Sequence, residues 1–115
     1  MQTLMLSFGI MTESDQDGPI DDGSGRRLAA FLSAFELGPA WHGGQSVLFI
    51  KTSKTIEEVH SHVVRFLDDV DLLLIVPIPE HLEVCYSGIR WDEEAFDEMF
   101  PNAVGTDPHY PSPEL

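Results

Sequence analysis

The residues best equipped for chemistry lie in one acidic stretch, Glu13-Ser-Asp15-Gln-Asp17-Gly18-Pro-Ile20-Asp21-Asp22-Gly23-Ser24. Laid on a calcium-binding EF-hand loop, it puts oxygen ligands at positions 1, 3, 5 and 9, glycine at 6 and isoleucine at 8, the pattern a hard cation requires around a sharp turn. Glu13, Asp15, Asp17 and Asp21 are therefore the candidate metal ligands, for weakly held calcium or magnesium. Position 12, normally a bidentate glutamate, is Ser24 here, and a strand rather than a helix precedes the loop. The competing expectation is a solvated loop whose acids favour the N-terminus of the helix that follows.

Other reactive side chains are less well arranged. His60 and His62 are two apart on a helical pattern and point about 200° from one another, so one subunit cannot chelate an ion with both. His42 and His81 read as surface or structural residues. Cys85 lies four residues beyond His81, and on a strand that separation is ~13 Å, too far for a thiol–imidazole pair. It is expected to be a small buried hydrophobe. Ser24-Gly25-Arg26-Arg27 opens a helix with a glycine and two cations, but the Walker and dinucleotide glycine spacings are absent and the carboxylates next to it repel phosphate.

The elements that must carry these residues can be read from periodicity. Thr3 to Ile10 alternates as a buried strand, with Leu4, Leu6, Phe8 and Ile10 on one face. Leu28, Phe31, Leu32 and Phe35 follow helical spacing, predicting a helix over Gly25 to Leu37, capped by Ser24 or Asp22 and stopped at Gly38-Pro39. Ala40 to His42 and Ser46 to Thr52 form a hairpin around Gly43-Gly44. Thr55-Ile-Glu-Glu58 is a capping box, which starts a second helix reaching about Asp68. Asp71 to Ile78 is apolar on both faces, as in a central strand, and Leu82 to Ile89 alternates as a half-exposed edge strand. Asp68, Asp69 and Asp71 read as a water-exposed turn. Asp92 caps a short acidic helix to Phe100, and residues 101–115, with four prolines, read as a tail beyond a single domain of residues 1–100.

Strand, helix, strand, strand, helix, strand is the order of an α+β, ferredoxin-like β-α-β-β-α-β fold, here with an extra C-terminal strand and short helix. Both helices would cover one sheet face. The other face is too apolar to stay wet, so a second copy stacked sheet to sheet is expected to cover it, with the final strand, helix and tail packing across the seam.

The stretch Ser46 to Ile78, SVLFIKTSKTIEEVHSHVVRFLDDVDLLLIVPI, resembles the second half of the Cas2-like and VapD-like ferredoxin-fold proteins, particularly the small SinR-type proteins grouped with them. The likeness rests on an aliphatic strand ending in Lys-Thr, a Thr-x-Glu-Glu helix start, and an Asp-Asp-x-Asp turn before another aliphatic strand, and it covers about a third of the chain. It implies a homodimer with apposed sheets. It does not carry over nuclease activity, because the aspartate credited to Cas2-type nucleases at the end of the first strand has no counterpart in Ser7-Phe8-Gly9-Ile10.

Composition narrows the function further. The 115 residues hold 20 Asp and Glu against six Lys and Arg, a net charge of −14, with 43% apolar residues and one cysteine. A core can form, while direct binding of nucleic acid or an anionic membrane is disfavoured, and Arg26, Arg27, Lys51, Lys54, Arg65 and Arg90 are too scattered to offset this. No run approaches the ~20 apolar residues of a membrane span, and the start of the chain does not look like a signal peptide. A cytoplasmic location is expected. The expected function is that of a non-catalytic acidic homodimer that binds another, basic protein, as a nucleic-acid mimic or inhibitor. The alternative is a metal-dependent ribonuclease or phosphodiesterase of the Cas2/VapD kind, with its acidic site displaced to Asp15, Asp17 or Asp21.

Overall fold

Strict alternation makes the strand Gln2–Gly9 (β1) the centre of the structure, because Leu4, Leu6 and Phe8 are buried on one face while Thr3, Met5 and Ser7 line the other. The computed structural model describes residues 1–10, 23–44 and 46–106. After β1 come the helix Ser24–Phe35 (α1), the strands Ala40–His42 (β2) and Val47–Thr52 (β3), and the helix Ile56–Val63 (α2), which tightens into a 3-10 turn over Val64–Phe66. The strand Leu72–Ile78 (β4), the strand Cys85–Ser87 (β5), the helix Glu93–Met99 (α3) and the strand Val104–Thr106 (β6) complete the order. The result is a mixed α+β protein with a four-stranded antiparallel sheet in the order β2-β3-β1-β4.

Register sorts the side chains between the two faces. Leu4 lies opposite Ile50, Leu6 opposite Leu48 and Ile75, and Phe8 opposite Leu73. These residues meet Ala30 and Ala34 of α1 and Val59 and Val63 of α2 in one buried cluster, so α1 and α2 cover the same face. Helix α2 starts as its capping box requires. Thr55 Oγ1 accepts from the Glu58 amide at 3.1 Å, and the Thr55 amide donates back to Glu58 Oε1 at 3.1 Å. These bonds, the backbone one first, hold the Glu58 carboxyl below its ordinary value of 4.5.

Helix α1 differs from expectation. Its buried residues are Ala30, Ser33 and Ala34, whereas Leu28, Leu32 and Phe35 stand on the outer surface, Leu28 with 60% of its area exposed. Only Phe31 of the expected stripe turns inward, 5.0 Å from the Phe8 ring. Small side chains let a helix back approach a sheet and a second helix closely, and packing of that face outweighs the larger apolar area opposite. The cap is Gly23 at φ 76°, not Ser24 or Asp22, and a Cβ there would fall 2.1 Å from Ile10 Cγ2. Gly38 is bound as tightly, since its Cβ would meet the Lys51 carbonyl oxygen at 2.0 Å.

Three further expectations change. β4 is an edge strand rather than a central one, because apolar residues on both faces report which sides of the sheet need cover, not whether the strand has neighbours on both sides. The stretch 82–89 forms only the three residues of β5, which leave the main sheet and pair in parallel with β6, itself within the stretch read as a tail. Asp71 is not solvated. Its side chain is fully buried, takes Arg26 Nε at 2.8 Å and Arg26 Nη2 at 3.3 Å, and also accepts the Asp68 amide at 2.8 Å. The ion pair ties the start of α1 to the entry of β4.

Three measurements test these supports. Thr55→Ala should lower unfolding stability by about 1 kcal/mol in urea melts. Because Glu58 titrates below its unfolded value, its contribution is present above pH 4.5 and lost as pH falls through the folded value, so the gap between wild type and Glu58→Gln should hold at neutral pH and close as pH falls below 4.5. Asp71→Ala, which removes the close partner of a largely buried guanidinium, should cost about 3 kcal/mol, and the double change Arg26→Met with Asp71→Leu should restore most of it. Equal instability of both variants would remove the ion pair as the cause.

Candidate functional site

Every second residue of the sheet that does not face α1 and α2 faces the other way: Trp41 on β2, Val47 and Phe49 on β3, Met5 on β1, and Leu72, Leu74 and Val76 on β4. This face is divided in two. Over β2 and β3 it is roofed by α3. Trp41 meets the Phe96 ring edge-on at 4.8 Å, and Phe49 meets Phe100 at 5.0 Å. The Trp41 indole N–H donates to the Trp91 carbonyl, and Lys51 Nζ donates to the Glu98 carbonyl at 2.8 Å near the C-terminal end of α3, where a cation is favoured.

The roof is itself braced. Asp92 sits at φ 50° with Oδ1 accepting from the Ala95 amide at 3.2 Å, which starts α3. Tyr86 of β5 meets Phe96 edge-on at 5.1 Å, and the Arg90 guanidinium lies over both rings while pairing with Asp97 at 2.7 Å. Gly105 of β6 lets the Tyr86 ring approach, since a Cβ there would be 2.8 Å from it. Phe96 and Met99 are buried by this arrangement.

Over β1 and β4 the same face is bare. Leu72 exposes 61% and Leu74 48% of their areas, beside half-buried Met5 and Val76. The exposed residues Ile89, Trp91 and Val104 of the C-terminal segment add apolar area outside the sheet. Scattered apolar residues are ordinary on a surface, but a contiguous patch marks an interaction site. Sequence periodicity marked this whole face as apolar and led to the expectation that the short helix packs across a seam between two copies; instead α3 covers half of the face within one chain, a contact between residues some fifty positions apart.

The sequence-derived candidates scatter. Glu13, Asp15, Asp17 and Asp21 lie outside the described residues. Among the described residues no three or more His, Cys, Asp or Glu side chains are placed to hold a metal ion. His62 bridges the helices through Glu36 Oε2 at 3.0 Å, while His60 is exposed elsewhere on α2. His42 packs on Phe31 and lies 3.2 Å from the Gly44 carbonyl through Nδ1. Cys85 is exposed, not buried, because β5 lies outside the main sheet; it lines a recess with His81. No helix among the described residues is long and apolar enough to cross a membrane. Compared with known proteins, the chain matches no family model, no curated protein and no solved structure.

The α3 roof makes a direct prediction. Phe96→Ala should destabilise the fold by about 3 kcal/mol and shift Trp fluorescence to the red, as Trp41 loses its cover. Unchanged emission and unchanged urea melts would show that α3 does not dock on β2 and β3.

Proposed function

We propose that this chain is a non-catalytic, acidic homodimer that works by binding another protein, with the bare half of the sheet face as its dimer surface. The observation that carries this is the exposure of Leu72 and Leu74 on a face whose other half is already closed by α3. Two copies apposed about a two-fold axis would cover each other's β1 and β4 residues, and a stable interface needs about 1,600 Å² in total, more than one small patch supplies. Ile89, Trp91 and Val104 are the exposed apolar residues available to extend it.

The same proposal includes a ferredoxin-like fold of the Cas2-like and VapD-like kind. Its supports are the order β2-β3-β1-β4, the antiparallel pairing throughout that four-stranded sheet, and two helices on one face. The partner protein is proposed to be basic, which the net charge of −14 supports, and a nucleic-acid mimic is its sharpest form. Leu28, Leu32 and Phe35 on the outer side of α1 offer the apolar centre such a contact needs.

Sedimentation analysis and a nuclease assay test the proposal together. The wild-type chain should sediment as a dimer, and Leu74→Asp, at a half-exposed site, should give a folded monomer with an unchanged circular dichroism spectrum. A monomeric wild type at high concentration removes the dimer surface. Magnesium- or manganese-dependent RNA cleavage that is lost on Asp15→Ala with Asp17→Ala would replace the non-catalytic proposal with the displaced-site nuclease.

A further inference from the structure

The long edge of the sheet supports a second inference, independent of the dimer surface. β4 pairs with β1 on one side only, so along its seven residues the outer row of backbone groups has no strand partner among the described residues. An open edge of this kind is a template for another strand. Pro77 shows which way the strand is set, since a residue without an N–H belongs where no ladder bond is drawn from it, on the outer edge. On the helix side of that edge runs a groove between β4 and α2. Its floor is Leu73 and Ile75 and its far wall is Ile56, Glu57 and His60.

Charge around the groove is one-sided. Glu57 stands on its wall, Asp69 precedes the strand and Glu80 follows it, all three exposed. None of them makes an ion pair among the described residues, whereas Asp68, Asp71 and Glu58 do. The nearby cations are engaged: Lys54 lies 4.0 Å from Glu58, and Arg65 donates to the His62 carbonyl at 3.0 Å while covering Phe66. A second copy added antiparallel to this edge would set Asp69 of one strand near Glu80 of the other, like charge facing like charge, which disfavours self-pairing.

We infer that β4 and α2 form a docking groove for an extended peptide with alternating apolar side chains and basic flanks. The peptide would add as a fifth strand beside β4. Its backbone would take up the free edge groups, every second side chain would rest on Leu73, Ile75 and Ile56, and its lysines or arginines would meet Glu57, Asp69 and Glu80. Strand addition of this type draws affinity from main-chain bonds and selectivity from alternate side-chain contacts. The groove lies on the helix side of the sheet and the proposed dimer surface on the other, so either can fail without the other.

The test uses the full chain and three synthetic probes: a peptide of alternating valine and threonine between flanking lysines, the same peptide N-methylated at alternate amides on its pairing edge, and a version with glutamate flanks. The lysine peptide should shift the amide signals of Leu73, Ile75, Ile56 and Glu57 saturably. N-methylation and glutamate flanks should each abolish binding, and Glu57→Lys with Asp69→Lys should weaken it about tenfold, with wild-type binding weakening as salt rises. Equal binding of the N-methylated peptide, shifts confined to Leu72, Leu74 and Val76, or concentration-dependent shifts of Leu73 and Ile75 without peptide would each overturn the inference. The last outcome would assign the edge to a second copy.

Discussion

Both faces of one sheet are apolar and only one is covered along its whole width by helices, and most of the structure follows from meeting that demand. Leu4, Leu6 and Phe8 of β1 take α1 and α2 as their cover, which leaves Met5, Phe49, Leu72 and Leu74 facing out on the opposite side. A helix of seven residues then closes the half over β2 and β3. What remains is a strip along β1 and β4, with hydrophobic area on one side and an unpaired strand edge at its border.

The Arg26–Asp71 pair shows how the edge strand is held in place without a neighbour on its outer side. Asp71 carries two duties at once, receiving the guanidinium from α1 and closing the turn whose Asp71 amide donates to the Asp68 carbonyl at 3.0 Å. A carboxylate buried with such partners is costly to disturb, since removing either ion leaves the other desolvated. It therefore anchors β4 at its start, while the Pro77 end is left to pair with β1 alone. An anchored, exposed edge differs from a frayed one in that it keeps its register for whatever adds to it.

Acidity has a comparable division of labour. Some carboxylates are absorbed into structure: Glu58 and Asp92 cap helices, Asp71 is buried, and Glu93 and Asp97 hold Arg90 over the aromatic cluster. Others, including Glu57, Asp69 and Glu80, make no ion pair among the described residues and remain as field. A net charge of −14 is thus a poor guide by itself, and the unpaired fraction near an apolar groove is the part that bears on recognition.

Local chemistry was legible without coordinates. The alternation of β1, the Thr55–Glu58 capping box, the Asp92 cap and the hairpin of β2 and β3 all rest on neighbours within a few residues, where propensity and hydrogen-bond geometry act directly. Tertiary structure alone decided what depended on distant partners. It turned α1 so that alanines rather than Leu28, Leu32 and Phe35 face the core, buried Asp71 against Arg26, moved β4 to the edge, and exposed Cys85 on a strand outside the sheet. The physical reason is the same in each case: periodicity shows that a side chain needs cover or a charge needs a partner, but which surface provides it is settled by packing between segments far apart in the chain.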